Sequence, residues 1–88
     1  MRWYVYMVKC ADESVYTGIS TDIERRIKQH NSKKGAKSLR GKLPVTLIHK
    51  EAYNSQPEAA KREREIKGWR REKKVFLIQR ASPIKGLS

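Results

Sequence analysis

The sequence predicts an α+β sandwich in the order ββαβαα, and three observations carry that prediction. Aromatic and β-branched residues alternate at the start of the chain, a Gly- and Lys-rich stretch interrupts its middle, and helix-start signatures stand at Thr21–Glu24 and Ser55–Glu58. At 88 residues there is room for one compact domain, assigned to residues 1–82, with a short tail at 83–88.

Residues 2–9 form the first predicted strand, in which Trp3, Val5 and Met7 alternate with Tyr4, Tyr6 and Val8. Both faces are apolar or aromatic, which places the strand in the middle of its sheet. A turn at Ala11–Ser14 leads to a second strand, Val15–Gly18, and the two make a hairpin. Thr21 and Glu24 fit a capping box, so a helix is expected from about Asp22 to His30. Residues 31–44 carry Gly35, Gly41, Pro44 and five cations with little apolar content, and read as a mobile basic loop. Alternation resumes at Val45 and gives a third strand ending near Tyr53. Ser55 and Glu58 make another capping box around Pro57, opening a helix that runs to Lys67 and stops at Gly68. Arg70–Arg80, with Val75, Phe76, Leu77 and Ile78, supplies a third helix beside Trp69.

Charge narrows the function. Lys and Arg number 21 against 9 Asp and Glu, a net charge of +12. Such an excess favours a polyanion as partner, because cations that neutralise phosphates release condensed counterions. A single cysteine, Cys10, excludes an intramolecular disulfide and a Cys-rich zinc site, and fits a reducing, cytoplasmic setting. The N-terminus has neither the build of a signal peptide nor that of a membrane span, so no membrane partner is expected.

Six positions invite chemistry. In the first helix, Ile23, Arg26, Ile27 and His30 fall within an arc of about 100°, so Arg26 and His30 border the buried stripe. Arg26 then either snorkels over the core or serves a site. In the second, Glu63 shares a face with Ala59 and Ile66, and a carboxylate there must be paired, with Arg26 for example, or bind a metal. Tyr6 and Tyr16 face each other if the hairpin turn centres on Ala11, and are diagonal neighbours if it centres one residue later. Gly18 ends the second strand, which suggests a backbone close to a ligand or one needing positive φ. His49 and Cys10 lack metal-ligand spacing and read as structural.

Tyr4-Val5-Tyr6, Tyr16-Thr17-Gly18, the run Ile19–Arg26, His30 and the stretch Ala59–Glu63 together resemble the GIY-YIG nuclease family, especially its small stand-alone members. The likeness covers about residues 2–80. It departs from the family pattern in Tyr4 for Gly, and in Val5 and Thr17 for Ile; both motif tyrosines, Gly18, Arg26 and Glu63 survive. The resemblance implies a three-stranded antiparallel sheet flanked by helices and hydrolysis of a nucleic-acid phosphodiester, in DNA before RNA, by an endonuclease or a structure-selective DNA-processing enzyme. It implies catalytic roles for Tyr6, Tyr16, Arg26, His30 and Glu63. Glu63 would hold one Mg²⁺ or Mn²⁺, hard cations that keep most of their waters. Arg26 would stabilise charge building on the phosphate. Tyr16 would act as general base, helped by Tyr6 or His30; a free phenol, of pKa about 10, needs nearby cations for that role, whereas His30 does not. Gly18 with Lys33, Lys34, Lys37, Arg40 and Lys42 would contact the nucleic-acid backbone without reading sequence. The expected working unit is a monomer, with specificity coming from substrate shape or from a protein partner. The alternative is a module that binds nucleic acid with the same fold and does not cut it.

Overall fold

The structure, a computed structural model, describes residues 2–35, 37–39 and 41–81. The expected tail at 83–88 and Arg40 lie outside the described residues. Strands β1 (Trp3–Lys9) and β2 (Val15–Ser20) are followed by helix α1 (Ile23–Asn31), a 3₁₀ turn at Lys37–Leu39, strand β3 (Thr46–Tyr53), and helices α2 (Gln56–Lys67) and α3 (Arg71–Ala81). The sheet is antiparallel with order β2-β1-β3, so the expected α+β fold with β1 at the centre is what forms.

The reason lies in β1. Its alternate residues feed two cores, one on each face of the sheet. Tyr6, Val8 and Cys10 pack with Ile23, Leu39 and Val45 on one side. Val5 and Met7 pack with Ala59 and Ile66, flanked by Trp69 and Leu77, on the other. Only a central strand buries both faces in this way, and Val5, Tyr6, Met7 and Val8 are all at most 1% exposed.

Three details depart from expectation. The cap of α1 is Asp22 rather than Thr21: the Asp22 carboxylate accepts from the Arg25 amide at 3.1 Å. Ser20 holds the corner, its hydroxyl accepting from the Asp22 amide at 3.0 Å. On β3 the pairing slips by one between Met7 and Val8, so that Ile48 is an extra residue. Ile48 joins the Val5–Met7 core, while Leu47 stays 37% exposed. The basic stretch is also tied into the fold rather than hanging free of it. Leu39 is buried, and the Asn31 side chain accepts from the Val45 amide at 2.8 Å and donates to the Val45 carbonyl at 3.3 Å. Ser55 caps α2 as expected, its hydroxyl accepting from the Glu58 amide, but the Glu58 carboxylate accepts from that hydroxyl instead of completing the box at the Ser55 amide. Gly68 caps α2. No helix among the described residues is long and apolar enough to cross a membrane.

Candidate functional site

Across the hairpin, Tyr6 pairs with Gly18 and Val8 with Tyr16. The two tyrosines are therefore diagonal neighbours, as a turn centred one residue beyond Ala11 requires, with ring centroids 6.4 Å apart. Gly18 earns its place through Tyr6. A Cβ at position 18 would stand 2.7 Å from Tyr6 Oη and 2.8 Å from Cζ, so the phenol lies across the glycine. Gly18 does not have positive φ. The expected ligand approach or unusual backbone is thus replaced by a buried ring that needs the space.

Helix α1 brings His30 to the same spot. It is 1% exposed, with Nε2 at 2.9 Å from Tyr6 Oη and its ring edge-on to Tyr16 at 5.6 Å. Gly35 closes over it, since a Cβ there would collide with His30 Nδ1 and come within 2.9 Å of its Cα. Burial, and then the charge of Arg26, push the His30 pKa below its ordinary value. His30 is accordingly neutral at neutral pH, and the tautomer with its proton on Nδ1 accepts from Tyr6. Tyr6 moves the opposite way from what a base requires. Burial drives its pKa up to about 12, against the Arg26 guanidinium beside it, with Tyr16 and Glu63 adding to the rise. Arg26 is half-buried and also donates to Gln29 Oε1 at 3.1 Å.

Glu63 comes from α2, between the fully buried Ala59 and Ile66. Its side chain is 20% exposed, and its ion-pair partner is Lys67 at 3.2 Å, one turn on, rather than Arg26. The Lys67 ammonium also sits 5.7 Å from the Tyr16 ring centre. Tyr6, Tyr16, Arg26, His30 and Glu63 therefore converge, with Tyr6 and His30 buried behind the more accessible Tyr16, Arg26 and Glu63. Lys67 and Gly35 were not among the expected site residues. The four-residue spacing of Glu63 and Lys67 was the available signal for the first; nothing local signals the second.

A model of the GIY-YIG catalytic domain matches residues 2–75. The chain belongs to the GIY-YIG family. Among its relatives, a UPF0213 protein of Haloquadratum walsbyi is 49% identical over 81 residues, covering 92% of this chain and 91% of the relative. A UPF0213 protein of Staphylococcus haemolyticus is 47% identical over 78 residues, covering 89% and 95%. The solution NMR structure of a UPF0213 protein from Bacillus halodurans, 47% identical, superposes with a TM-score of 0.59 over 90% of this chain and 84% of that one. A second NMR structure, of a protein from E. faecalis, is 38% identical with the same TM-score.

The remaining expected residues of this GIY-YIG chain are spread more widely. Lys33, Lys34 and Lys37 are exposed, while Lys42 is half-buried and 3.8 Å from Asp12. Cys10 is a buried free thiol, and His49 is 8% exposed and bonded to Glu51 at 2.9 Å, both of which accord with structural roles. No group of three or more His, Cys, Asp or Glu side chains suited to a metal occurs among the described residues. Glu63 is a single carboxylate, and that fits a hard cation completed by water and substrate phosphate rather than an all-protein cage.

Proposed function

We propose that this protein hydrolyses phosphodiesters in nucleic acid, DNA in preference to RNA, with the help of one Mg²⁺ or Mn²⁺ ion at Glu63. The observation that carries the reading is the convergence of two phenols, a neutral histidine, a guanidinium and a lone carboxylate, drawn from two strands and two helices. A structural ion pair needs none of the phenols, and an aromatic core needs neither charge.

Within that set the roles separate by exposure. Tyr16 is the candidate base toward the attacking water, because Tyr6 is buried, with its pKa at about 12, and His30 is equally buried. Lys67 sets a positive charge beside the Tyr16 ring. Tyr6 and His30 act behind it, their hydrogen bond holding both rings in place. Arg26 would bind the phosphate and stabilise its developing charge. Glu63 would hold the metal ion once Lys67 releases it; bound there, the ion would polarise the phosphate and stabilise the leaving oxygen.

One observation favours the alternative of a binding module that does not cut: Glu63 already has a cationic partner in Lys67. Nicking of plasmid and branched DNA with Mg²⁺ or Mn²⁺ decides between them. Wild type should cut, with Glu63→Ala and Tyr16→Phe slower by about 10²-fold or more. Salt-sensitive binding combined with cutting no faster than Glu63→Ala would leave only the binding module.

A further inference from the structure

Next to the phenol cluster, and sharing Arg26 with it, is a recess that the hydrolytic roles leave unused. It is a cleft of about 310 Å³ bounded by Trp3, Ile19, Ser20, Asp22, Arg25 and Arg26, at the end of the edge strand β2. That volume lies at the small end of the range for ligand clefts, roughly 300–1,000 Å³, and suits a single planar group. Trp3 and Ile19 are half-buried, with their inner sides on the Val5–Met7 core, and bring apolar surface to one wall. Arg25 and Arg26 bring two guanidinium groups to another.

A second phosphate suits this cleft less well than a neutral group. Helix α1 opens at this cleft, but Asp22 already fills the Arg25 amide, and Glu24 adds another negative charge to the first turn. An anion here would meet the Asp22 carboxylate where a free helix N-terminus would offer that amide. A neutral, flat, hydrogen-bonding group is compatible with all the walls: it can stack on an indole or a guanidinium and present polar edges to Ser20 and Asp22.

We propose that this cleft receives an unpaired nucleobase adjoining the phosphate bound by Arg26, so that the substrate is a single-stranded or unpaired stretch rather than a closed duplex. The proposal rests on the phosphodiesterase reading for the position of the phosphate. A base inside a duplex is stacked and paired and cannot enter without being extruded.

The chain has two tryptophans, Trp3 and Trp69, so in a Trp69→Phe protein Trp3 is the sole reporter. Its fluorescence is titrated, in EDTA, with an oligo(dA) strand, with an abasic strand of equal length and charge, and with a blunt duplex. Quenching by oligo(dA) but by neither of the others is expected. Trp3→Ala should weaken oligo(dA) binding roughly tenfold while leaving abasic-strand binding unchanged, and Trp3→Phe should restore most of the loss. Because Trp3 also packs on the core, the fluorescence of the unaltered residue provides a measurement independent of folding in these variants. Equal quenching by the abasic strand or the duplex, or no quenching by any of the three, overturns the proposal. The titration needs no cleavage, so base-dependent quenching by a protein that never nicks DNA keeps the cleft and removes the nuclease, whereas nicking without quenching does the reverse.

Discussion

At the scale of single residues, Tyr6 shows most clearly what sequence reasoning reaches and where it stops. Hairpin spacing brings Tyr6 and Tyr16 together and helical phase brings in Glu63, because both depend only on fixed periodicities; phase sets Arg26 and His30 only at the border of the buried stripe, and Arg26 depends more on the family resemblance. What the spacing left open was depth. Tyr6 and His30 are 1% exposed, and burial lifts the Tyr6 phenol to about 12 instead of lowering it. That depth follows from contacts distant in sequence, of which Gly18 under the Tyr6 ring is the most demanding. Gly18→Ala should cost roughly 1–3 kcal/mol in urea unfolding, since the displaced ring is packed and hydrogen-bonded. In a Tyr6→Phe background, which removes the hydroxyl nearest the new methyl, the same change should cost less; an undiminished loss would mean that the ring carbon Cζ, 2.8 Å from the new methyl, sets the cost rather than the hydroxyl. Next to Gly18, Thr17 departs from the family's Ile and keeps a hydroxyl without a hydrogen-bond partner at 3% exposure. Thr17→Val should therefore stabilise the protein by about 1 kcal/mol, read as a raised urea midpoint with an unchanged slope.

At the scale of elements, strand and helix order was legible because each segment has its own period or cap, whereas the details that depend on partners were not. The extra residue Ile48 on β3 and the burial of Leu39 inside a lysine-rich stretch leave no local mark. The network joining β3 to α2 is equally hidden. Glu51 accepts from Arg62 Nε at 2.9 Å and Nη2 at 3.2 Å, from the Tyr53 hydroxyl at 2.7 Å and from His49, and Arg62 in turn stacks over Trp69 at 5.0 Å. Burial alone would raise the Glu51 pKa, but the hydrogen bonds from Arg62, His49 and Tyr53 together with the Arg62 charge outweigh it and hold the carboxyl down to about 2. A folded pKa below the unfolded value means stabilisation that is present above the ordinary carboxylate range and lost as pH falls through about 2. With the side chain 19% exposed, its contribution is on the order of 2 kcal/mol after allowance for solvent screening. Glu51→Gln should lower stability by about that amount at neutral pH and flatten its decline between about pH 5 and pH 2. Parallel pH profiles for the two proteins would show that the network does not bear on acid stability.

At the scale of the whole molecule, a net charge of +12 dominates, and its use depends on where the cations stand. Lys33 and Lys34 follow α1 directly, are exposed, and lie close in sequence to His30 at the phenol cluster. Lys42 is partly occupied by Asp12 at 3.8 Å, although both side chains are about half exposed and the pair is weak. If the phosphate backbone runs past the first pair, each lysine that meets a phosphate releases about 0.9 of a counterion from duplex DNA and about 0.7 from a single strand. Lys33→Gln with Lys34→Gln should then reduce the slope of log affinity against log salt by between 1 and 2, to a similar extent on unrelated sequences, because backbone contacts carry no base information. Lys42→Gln should reduce it less, since part of that charge is already answered by Asp12. The measurement is fluorescence anisotropy across roughly 50–200 mM salt, the interval over which such contacts change affinity most visibly. A slope that stays at the wild-type value in the double variant would move the nucleic-acid path away from the end of α1. A drop confined to one sequence would instead mean that these lysines touch bases, which their length and exposed position on a polar turn do not otherwise suggest.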